Sequence, residues 1–448
     1  MATIQLKTQV PGPRSLALWE RRQAVIARGL ATLHPVFLER GEGAAVTDVD
    51  GNRLLDFTGG IGALNVGHAR PEIAKAIEGQ AARLTHTAIQ VTGYEPYVAL
   101  AEKLCAIAPI AGPKKAFLVT TGTEAVENAV KLARAASGRS GVLCFEHAFH
   151  GRSLGALSFT SRARPYKFGM GPFLPEVYRL PYPTFYRQGL TPQAATDAFR
   201  ARLAEFFRTV AAPEQIAALI IEPVLGEGGF LVPPPGFLEH LREQTRQHGI
   251  ALIVDEVQSG FCRSGRMFAI ESFDGVQPDL ICMAKSLAGG LPLAAVVGKA
   301  AIMDSAEPGA LGGTYAGNPI ACAAAIEALQ IMEREKLAEK AQRLGEHLRR
   351  RLEQLQQREP LVGDVRGLGA MMAVELVTDR ATRAPATDAT ARTVQLARSR
   401  GLLMLPTGTY GNVLRFLVPL TIAPDQVDEA LDVLERALRD AHSAAVSS

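Results

Sequence analysis

The chain has 448 residues, 47% of them hydrophobic, enough to bury a large core and to divide into two or three domains. Its formal net charge of +3 is small for that length, and no Lys/Arg-rich run or basic stripe interleaved with aromatics occurs, so nucleic acid is excluded as an expected partner. No stretch reaches about 18 apolar residues without a charge, which argues against a membrane span.

The N-terminal stretch MATIQLKTQVPGPRSLALWE holds no uninterrupted apolar run of signal-peptide length, so the cytoplasm is the expected compartment. Val46 to Phe57 alternates around Asp50-Gly51, a hairpin signal, and is assigned to a small N-terminal β element. From about residue 110 to 300, short apolar runs alternate with glycine loops and helical stretches. The candidate strands are Ala116–Thr120, Val142–Phe145, Ala218–Glu222, Ala251–Asp255, Leu280–Ala284 and Ala294–Gly298. Continuous apolar runs of this kind predict an α/β fold with a mostly parallel central sheet covered on both faces. Ile320 to Arg358 is a long run of helix formers, and the break near residue 325 suggests a separate C-terminal domain. The expected division is residues 1–63 as an N-terminal segment contributing to a small domain, 64–325 as a large domain, and 326–448 as the C-terminal small domain. The cysteines (Cys105, Cys144, Cys262, Cys282, Cys322) are odd in number, widely spaced and free of Cys-x-x-Cys pairs, so they read as free thiols in a reducing compartment. No metal site is expected.

Ligands of such sheets sit beyond the carboxyl ends of the strands, and three segments there carry chemistry. Thr120-Thr-Gly-Thr-Glu is a strand end and glycine turn opening a helix near Thr123. Free N–H groups and the helix dipole make that start an anion site, although the segment alone reads equally as a plain threonine N-cap with Glu127 nearby. Asp255 ends the run Ala-Leu-Ile-Val, where an unpaired charge is costly; a pyridinium N–H would supply the missing cation, whereas a lone Asp there is more often structural. Lys285 follows Leu-Ile-Cys-Met-Ala, and a lysine in an apolar setting has a lowered pKa and can act as a nucleophilic amine; a lone lysine more often reaches to solvent. Their succession on strands of one sheet favours the functional readings.

The runs Thr121-Gly-Thr-Glu-Ala-Val-Glu-Asn-Ala, His147-Ala-Phe-His-Gly-Arg152, Ile221-Glu-Pro-Val-Leu-Gly-Glu-Gly-Gly229, Asp255-Glu-Val-Gln-Ser-Gly-Phe261, Ala284-Lys-Ser-Leu-Ala-Gly-Gly290 and Gly313-Thr-Tyr-Ala-Gly-Asn-Pro319 resemble the class III aminotransferases. These are pyridoxal-5′-phosphate (PLP) enzymes of fold type I, with a large PLP-binding domain and a smaller α+β domain built from the two termini. The likeness runs from about residue 15 to 440. Within the class it is to the bacterial 4-aminobutyrate aminotransferases, through Gly59-Gly-Ile61, Asn65-Val-Gly-His68, the pairing of Arg152 with Glu227, and Asn412-Val-Leu-Arg-Phe-Leu-Val-Pro-Leu420.

The resemblance implies that Lys285 holds PLP as a Schiff base and that Asp255 keeps the pyridine nitrogen protonated. It implies that Gly122 and Thr123 bind the phosphate, with Thr314 reaching it from the partner subunit of a homodimer or dimer of dimers. Phe149 and Val257 would cover the ring faces, Gln258 would hydrogen-bond the phenolic oxygen, and Glu222 would support the site. Ile61 and Gln90 would line the substrate side. Arg152 would bind the distal carboxylate of an ω-amino acid, Arg415 the α-carboxylate of 2-oxoglutarate, and Glu227 would neutralise Arg415 when no α-carboxylate is present. One departure is Phe149, where relatives commonly have tyrosine, so the stacking face is kept and the hydroxyl lost. The implied reaction moves an amino group from 4-aminobutyrate to 2-oxoglutarate. The alternatives are 5-aminovalerate or another ω-amine as donor, racemisation, decarboxylation or aminomutase chemistry on the same scaffold, and a non-enzymatic PLP-binding protein.

Overall fold

The computed structural model describes residues 2–446. The chain forms two compact units, one of residues up to 70 together with those from 340 onward, the other of residues 71–339.

The 71–339 unit is organised by a seven-stranded sheet in the order 114–119, 294–299, 280–283, 251–255, 216–221, 141–145, 177–180. Strand 294–299 is antiparallel to both its neighbours, and all other pairs are parallel. Six strands therefore point the same way and deliver their carboxyl ends to one edge. The apolar runs are long because they are covered twice: every residue of Ile216–Ile221 and of Gly141–Phe145 is buried. Ala218, Ile220, Val142, Cys144 and Ile253 join one core cluster with Ala125, Val126, Ala129, Val130 and Ala133 of helix Gly122–Ser137. That helix presents its apolar stripe at a spacing of three to four residues, and it stops at Gly138, whose φ of 67° is left-handed. Strand Val177–Leu180 was absent from the sequence expectation. It pairs only with 141–145, and as an edge strand it is only partly covered.

In the other unit, Ala45–Asp48 and Arg53–Asp56 form the expected hairpin, with Gly51 at φ 83°. Asp48 locks the turn by accepting from the N–H groups of Asp50 (2.9 Å) and Asn52 (2.8 Å). Strand Leu402–Leu403 adds to this sheet in parallel beside 53–56, so both ends of the chain build one element. A second sheet holds Val362–Leu368, Met371–Asp379, Val413–Phe416 and Leu405–Thr407. The run of helix formers from residue 320 resolves into Pro319–Arg334 and Leu337–Arg358, separated where Lys336 takes a φ of 51°. Among the described residues, no helix is long and apolar enough to cross a membrane, and no group of His, Cys, Asp and Glu is placed to hold a metal ion.

Candidate active site

The carboxyl edge of the sheet gathers the three segments singled out above. Strand 114–119 leads into helix 122–137, whose cap is Thr121: its hydroxyl accepts from the Glu124 N–H at 3.3 Å, while the Glu124 carboxylate accepts from the Thr121 N–H at 2.8 Å. This capping box moves the cap two residues ahead of Thr123. It leaves the N–H groups of Gly122 and Thr123 without a hydrogen-bond partner among the described residues, at the positive end of a 16-residue helix. Glu127 does not support the cap; it accepts from the Ser153 hydroxyl and from the Ala156 N–H at 3.0 Å. The Thr123 hydroxyl lies 2.5 Å from the Ser153 hydroxyl.

Gly122 is where the segments converge. A methyl group there would sit 3.0 Å from Val257 Cγ1, tighter than an ordinary contact, and 3.5 Å from Ala284 Cβ, so the loop lies against both the turn after Asp255 and the residue before Lys285. A methyl at Gly151 would likewise meet Thr123 Oγ1 at 2.3 Å. Lys285 itself follows the buried strand 280–283 and adopts a left-handed φ of 47°, an unusual conformation for a side-chain-bearing residue and one that persists chiefly at functional sites.

Asp255 is 4% exposed. One oxygen accepts from the Val257 N–H at 3.0 Å, and the other lies 2.7 Å from Nδ1 of His150, whose side chain is fully buried. Glu222, also buried, accepts from the N–H groups of Phe149 (2.8 Å) and Gly226 (2.9 Å). Burial pushes the Glu222 carboxyl well above the usual carboxylate range; His150 opposes that push and Asp255 adds to it. Glu222 thus tends to the neutral acid and braces Phe149 by its backbone. Gln258 is 8% exposed, and its side-chain oxygen is buried without a hydrogen-bond partner among the described residues. A buried amide in this condition is costly unless a ligand completes it, and its O and N ends are interchangeable by rotation.

Next to Asp255 stands Glu256, fully buried, accepting from the Ser259 hydroxyl at 2.5 Å and the Ile270 N–H at 2.8 Å. Burial pushes its carboxyl up to about 7 from 4.5. A carboxyl raised by folding stabilises the protein fully below its unfolded value, and that stability drains away as pH climbs through the folded value. Wild-type stability should therefore fall by on the order of 3 kcal/mol between about pH 4.5 and pH 8 through this group. Urea midpoints of wild type and Glu256→Gln at pH 5 and pH 8 test it: the glutamine variant should lose less on going to pH 8, and an identical drop in both would remove Glu256 as the cause.

Arg152 is exposed and makes no hydrogen bond or ion pair among the described residues; its guanidinium carbon lies 4.5 Å from the ring centroid of Tyr166. Tyr166 in turn meets Phe149 edge to face, with centroids 5.4 Å apart at 67°. Glu227 is half-buried in the loop that follows Glu222.

Not all sequence candidates fall into this cluster. Thr314 is exposed on the loop after Gly313, and Gln90 donates to the Gly313 carbonyl at 3.5 Å, so these two form a second group within the 71–339 unit. Ile61 and Arg415 belong to the other unit. Arg415 is buried on strand 413–416, opposite Ala373 and Leu405. Ile61 is 48% exposed with a φ of 60°, in a segment tied to that strand because a methyl at Gly59 would strike the Leu417 carbonyl oxygen at 2.1 Å. Sequence reasoning gave no role to His150 or Tyr166. The first had a signal in its place between Phe149 and Arg152; the second had none.

The chain has close relatives. The pattern of the family described as Aminotransferase class-III matches residues 25–438. The chain is 48% identical to the 4-aminobutyrate aminotransferase GabT of Escherichia coli (strain K12), over 95% of this chain and 98% of that protein. It is 47% identical to the 5-aminovalerate aminotransferase DavT of Pseudomonas aeruginosa, over 93% of this chain and 97% of that protein. Among solved structures it is similar to an amine transaminase from an uncultivated Pseudomonas species in the PLP-bound (internal aldimine) form, with a TM-score of 0.85 and 35% identity, covering 90% of this chain and 95% of that one.

Proposed function

The chain belongs to the class-III aminotransferases, and from that premise we propose that it moves the amino group of 4-aminobutyrate to 2-oxoglutarate, giving succinate semialdehyde and glutamate. The observation that carries the substrate class is Arg152, an arginine over the ring of Tyr166, which itself packs on Phe149, with no carboxylate partner among the described residues. A bidentate guanidinium suits a carboxylate held several carbons from the reacting amine.

The residues present fit the family's cofactor. The two open N–H groups of Gly122 and Thr123 suit its phosphate, Asp255 its ring nitrogen, the orphaned amide of Gln258 its phenolic oxygen, and the faces of Phe149 and Val257 its ring. When bound, pyridoxal phosphate supplies an electron sink for the pair left on the substrate carbon after deprotonation. Asp255, oriented by His150 and the Val257 N–H, would hold the ring nitrogen and keep it protonated. Lys285 would hold the cofactor through its amine and would serve as the base and acid that moves the proton of the substrate carbon. Arg152 places the substrate by its distal carboxylate, Ile61 and Gln90 are assigned to the substrate side, and Arg415 and Glu227 are assigned to the α-carboxylate of glutamate and 2-oxoglutarate on the resemblance. We further infer a cytoplasmic homodimer, alone or paired into a tetramer, in which exposed Thr314 serves the partner subunit's phosphate site.

Arg152→Ala should raise the KM for 4-aminobutyrate by about 10- to 100-fold, the worth of hydrogen bonds to a charged group, with a far smaller effect on L-alanine, which has no distal carboxylate. Steady-state kinetics with both donors checks this, and equal losses would withdraw Arg152 from the substrate. The second donor, 5-aminovalerate, is favoured by the DavT relative and differs by one methylene, worth about 1–3 kcal/mol. Adding a panel of ω-amino acids to the yellow enzyme and recording which bleach its visible band ranks the donors.

A further inference from the structure

Tyr166 sits in the short turn 163–167 and draws three side chains to one ring. The Arg152 guanidinium carbon is 4.5 Å from its centroid, that of Arg162 is 5.8 Å away, and Phe149 packs edge to face at 5.4 Å. Arg162 spends its Nε hydrogen bond on the Arg164 carbonyl at 3.1 Å, and neither Arg152 nor Arg162 has a carboxylate partner among the described residues. We propose that Tyr166 is a positioning residue for the distal carboxylate of the substrate, a ring platform that orients Arg152 while leaving its N–H edge open. This rests on the reading of Arg152 given above.

The physical case turns on what holds an arginine still. A guanidinium fixed by a carboxylate has its donors occupied, and a substrate must displace that partner. A guanidinium laid against an aromatic ring is held by its face or flank through cation–π attraction, and its fork of donors remains available. The rotamer entropy that a mobile exposed arginine would lose on binding is then already spent. The second cation near the same ring raises the local positive potential, which an arriving carboxylate relieves. Contact with Phe149 ties the platform to the residue assigned to the cofactor ring, so the spacing between cofactor and carboxylate anchor is set through one side chain.

The test uses butyrate, which carries the donor's carboxylate but no amine, titrated calorimetrically into the holoenzyme, alongside single turnovers with 4-aminobutyrate and L-alanine. Tyr166→Leu should weaken butyrate about fivefold, equivalent to about 1 kcal/mol, the order of the ordering cost of one mobile side chain, and should raise the half-saturating 4-aminobutyrate concentration in parallel, with a clearly smaller change for L-alanine. Tyr166→Phe, which keeps the ring, should recover most of the affinity, and in an Arg152→Ala background Tyr166→Leu should add nothing. Tyr166→Gln gives the same comparison should the leucine variant not accumulate as folded protein. Wild-type butyrate binding in Tyr166→Leu together with a loss in Arg152→Ala would overturn the platform alone. Unchanged binding in Arg152→Ala would overturn the carboxylate reading on which it stands. Equal losses for both donors in Tyr166→Leu would also overturn it, since the ring would then support the site generally.

Discussion

Replacing Lys285 by alanine should leave a folded protein that still takes up the cofactor but turns over at least about 10⁴-fold more slowly, since the variant loses both a covalent amine and a general acid–base worth up to about 10⁴-fold. Folding should survive because alanine meets the same left-handed backbone cost that lysine already bears at a φ of 47°. The flanking packing of Ala284 against Gly122 does not involve the lysine side chain. Retention should survive because the open N–H groups, Asp255 and Gln258 are untouched. The measurement is single-turnover transfer from 4-aminobutyrate, with cofactor content determined after desalting. Transamination at the wild-type rate would remove Lys285 from the chemistry.

Asp255→Asn should be nearly as damaging, for a different reason. The amide keeps the volume and can still accept from the Val257 N–H, so the loop after the strand has its 3.0 Å hydrogen bond available. What disappears is the negative charge opposite His150 and, in the proposed cofactor site, opposite the ring nitrogen. Removing one partner of a buried charged pair costs about 3–5 kcal/mol, which corresponds to roughly 10²- to 10⁴-fold in rate or cofactor affinity. Equilibrium dialysis of the cofactor and the rate of substrate deprotonation should both show it. Normal rates with an unchanged visible spectrum would make Asp255 a structural carboxylate paired with His150 and nothing more.

The central sheet was legible because its runs are buried on both faces. Ala251–Asp255 ends in the structure where the apolar pattern ends, and 280–283 and 294–299 lie within a residue of their expected bounds. The edge strand Val177–Leu180 was not legible, since Tyr178 and Arg179 give it no continuous apolar signature and its pairing comes from a single neighbour. The helix start was legible to within a residue, near Thr123 in the sequence and at Gly122 in the structure, but its cap was not. Thr121 and Thr123 are both plausible caps by residue type, and only the reciprocal bonds of Glu124 separate them. His150 and Asp255 are 105 residues apart, and Tyr166 reaches Arg152 through the shape of a loop. Neither contact leaves a periodicity in the chain. The resemblance supplied roles that no local pattern could, including those of Phe149, Gln258 and Arg415.

The one reversed strand has a consequence for when the site comes into being. Among the described residues strand 114–119 is at the edge of the sheet and joins it only through 294–299, so the strand that leads into helix Gly122–Ser137 has no strand partner until a segment about 175 residues further along has been made, and until then the helix is held by its packing on strands 216–221, 251–255 and 280–283. Contacts of such long sequence separation are slow to close, and a chain emerging from the ribosome completes its N-terminal parts first. The strands bearing Glu222, Asp255 and Lys285 can align with one another earlier, each neighbour having been synthesised in turn. A nascent chain halted before residue 294 would thus carry Asp255 and Lys285 at the ends of paired strands while the strand leading to Gly122 still had no partner.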